Sequence, residues 1–247
     1  MKNLDLILIG AGNMARSYID VFNSQGIDFE VICRTSESAL KLKRDKKDIK
    51  VINGGIRNYI TKSKCLPNHA IVCVEVKNLK EIGILLIEKG IKNILIEKPG
   101  GFYIEEIKEL SEYARKFSCN LFIAYNRRFY QSVNIAKKII KDDGGIRTCF
   151  FEFTEWIHKL NEITEIQKQR LVLGNSTHLL DLFLHFCGKP YTLNCEYGDN
   201  LSWHKNCCIY GGSGKTSKGI IFSYISDWKS AGRWNLELTT PKRRIYF

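Results

Sequence analysis

Two short motifs of this sequence each place chemically active groups directly behind an apolar run. Residues 10–15 (GAGNMA) follow the largely apolar run of residues 4–9, and residues 97–99 (EKP) follow the apolar residues 94–96. The first motif is typical of a turn that binds a pyrophosphate. The second puts the Lys98 amine at the end of a later strand, where an open α/β sheet presents its ligands. Together the two motifs predict a nicotinamide-dependent oxidoreductase.

The flanks of the glycine motif agree with a dinucleotide-binding βαβ unit. Gly10 allows the tight turn out of the strand, Gly12 lets backbone amides approach the pyrophosphate, and Ala15 keeps the next helix close to the sheet. A helix is expected because apolar residues recur at helical spacing: Met14, Tyr18, Val21 and Phe22. Gly26 can end this helix, and residues 29–33 form the next strand. A simple glycine-containing turn is the alternative, and the complete strand–helix–strand order favours the nucleotide interpretation.

The end of the second strand predicts the choice of cofactor. Where an acid normally binds the ribose 2′-hydroxyl of NAD, this chain has Arg34, Thr35 and Ser36. A guanidinium and hydroxyls suit a 2′-phosphate, which an acid would repel. We therefore expect NADP(H) to be favoured over NAD(H). Ser36 could also cap the following helix, and the two roles are compatible.

Composition fits an intracellular enzyme of one or two domains. The chain has 247 residues, is 44% hydrophobic, and has no stretch long and apolar enough for a membrane span. Met1 leads almost directly into a core strand, so we expect no signal peptide and a cytoplasmic location. The nine cysteines are scattered without a C-x-x-C pair, which favours reduced thiols over disulfides or a metal site.

The formal net charge of +12 raises the possibility of nucleic-acid binding. The lysines are mostly spread over predicted helix faces, and the one dense run, residues 41–50, also contains Asp45 and Asp48. A solvated face explains this distribution better than a nucleic-acid surface. An anionic or sugar-like small molecule is the partner that we expect, with no nucleic acid and no membrane.

The order of predicted elements indicates an α/β fold with two domains. Strands alternate with helices through the first half, near residues 4–9, 29–33, 50–52, 70–74, 93–96 and 120–124. This pattern predicts a doubly wound parallel Rossmann sheet in a NAD(P)-binding domain, residues 1–124. Residues 125–247 change character, with a strand-like run at residues 149–153 and a helix at residues 176–186. They predict an α+β substrate and oligomerisation domain with a mainly antiparallel open sheet.

The chain resembles the Gfo/Idh/MocA oxidoreductases, also called glucose-fructose oxidoreductase or inositol dehydrogenase-like proteins. The resemblance rests on four segments: residues 10–15, residues 97–99, residues 125–129 (YNRRF) and residues 175–181 (NSTHLLD). It implies hydride transfer between NAD(P) and a sugar, cyclitol or nucleotide sugar, and a sheet that commonly forms the oligomer interface. These versions of the motifs look most like members from bacterial surface-glycan genes.

The resemblance also implies roles for particular residues. Lys98 resembles the lysine that exchanges a proton with the reacting hydroxyl or carbonyl, and His178 resembles a second proton-handling or substrate-binding residue. We expect His178 in the first turn of a helix, whose amino end would favour the neutral ring. The expected cofactor-binding residues are Gly10, Gly12, Asn13, Met14, Arg34, Thr35, Ser36 and Glu97. The expected substrate-binding residues are Tyr125, Asn126, Arg127, Arg128, Asn175 and Asp181.

One departure from the family pattern leaves a second function open. Gly174 stands where the family usually has an acid four residues before the histidine, so the usual relay is incomplete. A catalytically weak NADP-binding regulatory or partner protein is therefore the alternative to an active enzyme.

Two features near the carboxyl end complete the predictions. Residues 211–216 (GGSGKT) resemble a phosphate loop only at their end and predict a hairpin turn. The chain stops earlier than family members usually do, which we expect to shorten the second domain and leave an aromatic sheet face open. The candidates for burial on that face are Phe222, Tyr224, Trp228, Trp234 and Leu236. We therefore expect a homodimer or homotetramer through this sheet.

Overall fold

The computed structural model describes residues 5–46, 49–157, 164–204 and 207–247. Leu4, at the start of the first predicted strand, and Asp48, within the predicted charge run, lie outside these residues. The chain divides into two compact units, Met1–Ala124 and Tyr125–Phe247.

The first unit contains a six-stranded, fully parallel sheet in the order β3-β2-β1-β4-β5-β6. Its strands are β1 (Leu6–Ile9), β2 (Glu30–Ile32), β3 (Lys50–Ile52), β4 (His69–Val72), β5 (Asn93–Ile96) and β6 (Asn120–Ile123). The carboxyl ends of β1, β4 and β5 lie side by side at one edge of this sheet. The predicted Rossmann fold class is confirmed.

In the described part of the first unit, an α-helix follows each of the first five strands. These helices are α1 (Asn13–Gln25), α2 (Ser36–Asp45), α3 (Gly55–Lys62), α4 (Leu79–Glu88) and α5 (Ile104–Lys116). Gly26 ends α1 in the left-handed conformation, as predicted. The helix buries Ala15, Ile19 and Phe22, whereas Met14 and Val21 are 41% and 48% exposed. Of the apolar residues that predicted this helix, only Phe22 is among its buried residues.

The second unit contains a mixed sheet in the order β12-β11-β7-β10-β9-β8, in which only the β7–β10 pair is parallel among the described strands. Its strands are β7 (Thr148–Phe153), β8 (Pro190–Gly198), β9 (Ile209–Thr216), β10 (Ile221–Asp227), β11 (Trp234–Thr239) and β12 (Arg244–Tyr246). Its helices are α6 (Gln131–Asp142), α7 (Glu165–Gln169) and α8 (Thr177–Cys187). The predicted mainly antiparallel α+β fold is confirmed.

The aromatic face of this sheet is covered within the unit, so the expectation that it is left open is wrong. Phe222, Tyr224 and Leu236 pack beneath α8, where the ring of Phe183 lies 4.9 Å from that of Phe222. Trp228 is buried in a separate cluster, and Trp234 is half-buried. The helix was predicted, but its position over these side chains could not be read from the sequence.

The glycine-rich run of residues 211–216 lies inside strand β9, so the predicted hairpin turn is wrong there. A Cβ at Gly212 would lie 2.1 Å from the Asn194 carbonyl oxygen and 2.7 Å from the Tyr224 hydroxyl. A Cβ at Gly214 would lie 2.1 Å from the Thr192 carbonyl oxygen and 2.7 Å from the Phe222 ring. Glycine therefore makes room for the backbone of β8 on one side and the aromatic rings of β10 on the other.

None of the helices in the described parts of the chain is long and apolar enough to cross a membrane.

Candidate functional site

The turn behind β1 leaves backbone amides open at the start of α1. Gly10 has a φ of +121°, and a Cβ there would lie 2.0 Å from the carbonyl oxygen of Cys73, so only glycine fits. A Cβ at Gly12 would meet no atom of the described chain within 4 Å. Helix α1 begins at Asn13 with no side-chain cap and no acid in its first turn. The first amides and the positive end of the helix dipole can therefore bind a pyrophosphate.

The three residues predicted to select the cofactor are exposed beyond the carboxyl end of β2. Thr35, rather than Ser36, caps helix α2: its Oγ1 accepts a hydrogen bond from the Ser38 backbone amide at 3.2 Å. Ser36 is the first helical residue, and its hydroxyl accepts a bond from the Asn53 side chain at 2.9 Å. Arg34 precedes the cap and is exposed. A guanidinium and two hydroxyls thus lie together at the edge of the sheet that carries the glycine turn.

Glu97 and Lys98 lie at the same edge, directly behind β5. The hydroxyl of Tyr18 donates a hydrogen bond to Glu97 Oε1 at 3.2 Å. Burial raises the pKa of the Glu97 carboxyl, and the Tyr18 hydrogen bond and the charge of Lys98 only partly oppose this shift. The Lys98–Pro99 peptide bond is cis. Glu97 is therefore a buried acid that helix α1 holds, and Lys98 is the next residue along the chain.

His178 lies within a helical run rather than at a free helix end. Helix α8 begins at Thr177, but a π-helical turn, Val172–Ser176, runs directly into it, and Ser176 already has helical φ and ψ of −60° and −20°. The predicted effect of a helix amino end on His178 therefore does not apply. The centroid of its ring lies 6.4 Å from those of both Tyr125 and Trp234.

The two neighbouring arginines of the YNRRF segment make different contacts. Arg128 donates to both carboxylate oxygens of Asp181, with its Nε 2.7 Å from Oδ2, and this pairing raises the pKa of the guanidinium. The Asp181 side chain is buried, so the pair belongs to the interior of the unit. Arg127 instead stacks on Trp234, with 4.4 Å between its Cζ and the ring centroid. The predicted substrate-binding pair thus divides into an internal ion pair and a stacked cation.

The aromatic and amide residues beside these arginines have distinct positions. Burial, followed by the charge of Asp181, raises the pKa of the Tyr125 hydroxyl. Asn126 is an exposed residue of the 3₁₀ turn Asn126–Phe129. Asn175 donates its side-chain amide to Glu155 at 2.9 Å. Tyr125, Arg128 and Asp181 therefore belong to one group of contacts, whereas Arg127 lies on Trp234. Asn175 contacts a residue that the motifs do not include.

That residue, Glu155, is a buried acid with 3% exposure that the sequence analysis missed. Besides Asn175, its carboxylate accepts hydrogen bonds from the Ser176 hydroxyl at 2.6 Å and from Trp234 Nε1 at 3.2 Å. Glu155 belongs to no motif, so the sequence motifs did not predict a role for it. The one feature that could have indicated it is its position, because it is an acid closely following a predicted apolar strand. Its contacts tie the segment before His178 to strand β11.

The fold and the first unit's edge define a dinucleotide-binding oxidoreductase. The family model described as "Oxidoreductase family, NAD-binding Rossmann fold" (GFO_IDH_MocA) matches residues 4–125. Residues 4–125 thus match the Gfo/Idh/MocA oxidoreductases, and the predicted resemblance is confirmed. None of the curated protein sequences matches the chain significantly.

Solved structures with the same fold span the whole chain at low identity. WlbA dehydrogenase from Chromobacterium violaceum, in complex with NADH and UDP-GlcNAcA, has a TM-score of 0.80 and 14% identity, covering 100% of this chain and 74% of that one. Levoglucosan dehydrogenase in complex with NADH and L-sorbose has a TM-score of 0.82 and 18% identity, covering 100% of this chain and 73% of that one. myo-Inositol 2-dehydrogenase from Lactobacillus plantarum has a TM-score of 0.80 and 17% identity, covering 100% of this chain and 76% of that one. At these identities the likeness establishes the fold alone.

The raised pKa of Glu97 predicts how stability depends on pH. A carboxyl whose pKa is raised by folding contributes stability below its ordinary value of 4.5, and this contribution is lost as pH rises through the raised value. Glu97→Gln keeps an acceptor for Tyr18 and removes the buried charge. We expect the variant to have a higher urea midpoint than the wild type at pH 8, and an equal midpoint at pH 4.

The matched control is Glu112→Gln, which changes an exposed carboxylate on α5 and should leave the midpoint nearly unchanged at both pH values. A Glu97→Gln variant that is less stable than the wild type at pH 8 would contradict the assignment of Glu97 as a desolvated acid.

Proposed function

We propose that the protein is an NADP(H)-dependent oxidoreductase that transfers hydride to or from a sugar or nucleotide sugar. The observation that carries this proposal is the glycine turn, in which the Cys73 carbonyl excludes any side chain at Gly10 while α1 starts uncapped behind Gly12. Lys98 follows β5 at the same edge of the sheet. A pyrophosphate site and an amine at one sheet edge suit a dinucleotide and a proton-exchanging substrate.

The setting of the reaction is part of the proposal. The names of the fold neighbours include a nucleotide-sugar complex and dehydrogenases of a sugar derivative and a cyclitol. Together with the resemblance to surface-glycan members, they support a role in surface-polysaccharide biosynthesis. All nine cysteines are free thiols, which is compatible with the proposed cytoplasmic location. The direct test is turnover of NADPH or NADP with a panel of UDP-sugars and free sugars.

The proposed cofactor preference depends on Arg34. Fold neighbours hold NADH, so the preference for NADP(H) rests on this chain's own guanidinium and hydroxyls. We expect NADPH to bind more tightly than NADH, and Arg34→Asp to narrow or reverse the preference, because the acid would repel the 2′-phosphate. Calorimetric titration of both cofactors measures the effect. Arg115→Asp, with the same charge change on α5, should leave the ratio of the two dissociation constants unchanged, and equal constants in the wild type would refute the preference.

The proposed proton carrier is Lys98. We expect Lys98→Met to keep the fold and cofactor binding but to lower turnover about 10²-fold or more, the scale of a positioned acid or base. Lys108→Met, an exposed lysine of α5, is the matched control and should keep full activity. His178→Ala should lower turnover less, because we propose that His178 mainly orients the substrate. Full activity of Lys98→Met on an identified substrate would exclude Lys98 from this role.

A catalytically weak regulatory or partner protein is the second candidate function, and Gly174 is the observation that favours it. The family's usual acid is missing at this position, which is exposed. Tight NADPH binding without turnover of any sugar or nucleotide sugar would favour this second function over the first.

The proposed homodimer or homotetramer now rests on the outward face of the second unit's sheet. Ile221 and Ile225 of β10 are 60% and 45% exposed, and Tyr246 of β12 is 59% exposed. We expect light scattering at micromolar concentration to give a dimer or tetramer, and Ile225→Glu to shift it toward monomer. Leu184→Glu, which alters an exposed leucine of α8, is the control and should leave the assembly intact. A monomeric wild type would refute the assembly.

A further inference from the structure

Four side chains of the second unit form an alternating stack of guanidinium groups and indole rings, which we name the Arg–Trp ladder. Arg127 Cζ lies 4.4 Å from the Trp234 ring centroid. Arg233 Cζ lies 5.3 Å from the Trp234 centroid and 4.2 Å from that of Trp156. The order of the ladder is therefore Arg127, Trp234, Arg233, Trp156.

The backbone around the ladder is closely packed. Trp234 lies opposite Phe153 in the antiparallel pair of strands β11 and β7, which brings the segment after β7 beside the segment before β11. Trp156 Nε1 donates a hydrogen bond to the Gly232 carbonyl at 3.2 Å. A Cβ at Gly232 would lie 1.9 Å from a carboxylate oxygen of Glu152, so the Glu152 side chain lies close against this backbone. These contacts hold the two indoles in place before any ligand binds.

The two guanidinium groups of the ladder form no ion pair with the described residues. Among the described residues, neither Arg127 nor Arg233 has a carboxylate oxygen within 4.0 Å, whereas Arg128 is paired with Asp181. Burial lowers the pKa of Arg127, and the charge of Arg233 acts in the same direction. The nearby buried acid, Glu155, is occupied by its own hydrogen bonds. Two cations thus lie close together, with the carboxylates of Glu152 and Glu155 near them but not at ion-pair distance.

Stacking leaves the hydrogen-bonding edges of a guanidinium available. The flat face contacts the indole, while the N–H groups point outward in a fork that matches a phosphate or carboxylate. Arg233 is exposed and Arg127 is half-buried, so an anion can reach both. Two stacked forks form a site for oxygen anions and carry little preference for a neutral sugar.

We propose that the Arg–Trp ladder binds the anionic group of the substrate, which is a phosphate or a carboxylate attached to the sugar. This inference rests on the proposed function and identifies the substrate as anionic. Arg233, Trp156 and Trp234 are then specificity-determining residues outside the motifs of the sequence.

The test is a binding titration on the full chain with NADPH present in excess, so that the first unit's proposed site is filled. The probes are pyrophosphate, UDP-N-acetylglucosamine, glucuronate and N-acetylglucosamine. Calorimetry and tryptophan fluorescence measure the binding of each probe. We expect UDP-N-acetylglucosamine or glucuronate to bind and the neutral sugar not to bind. Pyrophosphate binding without glucuronate binding would assign the site to phosphate, and the reverse would assign it to a carboxylate.

Substitutions locate the binding on the ladder. Arg233→Gln and Arg127→Gln should each weaken binding about tenfold or more, the loss expected for one charge-assisted hydrogen bond. Arg233→Lys keeps the charge but loses the fork, so it should recover only part of the affinity. Arg147→Gln removes an exposed guanidinium elsewhere in the unit and should change nothing. Equal urea midpoints for all variants establish that each is folded.

Two results would overturn the inference: unchanged anion affinity in both ladder variants, or binding of the neutral sugar as tight as that of the anions. Absence of binding by every anion would also overturn it. Because binding is measured without turnover, the outcome differs from failure of the proposed function. If the chain binds anions at the ladder but transfers no hydride, only the proposed oxidoreductase function is refuted. If the chain reduces a sugar equally well with and without Arg233, only the proposed anion binding at the ladder is refuted.

Discussion

The buried carboxylate of Glu155 is the interaction on which the second unit's candidate site depends. A carboxylate with 3% exposure is tolerated only when donors satisfy its oxygens. The donors are Asn175 and Ser176, from the helical run before His178, and Trp234, which is 79 residues away in sequence at the start of β11. One side chain behind β7 thus joins three segments. Because Trp234 also carries the two guanidinium groups of the ladder, the position of the cations follows from this buried acid.

The neighbouring arginines of the 3₁₀ turn Asn126–Phe129 show how local geometry assigns different roles to identical side chains. A 3₁₀ helix has three residues per turn, so successive side chains point about 120° apart. Arg128 therefore reaches inward to Asp181, while Arg127 lies over Trp234. Removing Asp181 would leave the Arg128 cation without its carboxylate, whereas Arg127 already has no ion-pair partner among the described residues and contacts Trp234 instead. This difference makes Arg127, rather than Arg128, the arginine with bonding capacity for a ligand.

The sequence predicted the parts of the molecule that depend on local pattern. Apolar runs and turn glycines located all six parallel strands of the first unit, and Gly26 ended α1 as expected. One error is local, the helix end expected at His178, and the others concern contacts between distant residues. The glycines of β9 predict a turn, because the carbonyls and aromatic rings that require glycine there lie on other strands. The same holds for the candidate site. Its motif residues could be predicted from the sequence, but Glu155 and Arg233 are recognised only by their contacts with residues far away in the sequence.

The missing acid at position 174 and the buried acid at position 155 constrain the proposed chemistry together. A Cβ at Gly174 would meet no described atom within 4 Å, so packing does not require glycine there. Glu155 contacts the same segment, yet three donors occupy its oxygens, so it holds the segment in place rather than exchanging protons with a substrate. Under the proposed function, His178 and the ladder then serve binding within the second unit. Selectivity in such a site comes from charge and shape, which is the chemistry that stacked guanidinium groups supply.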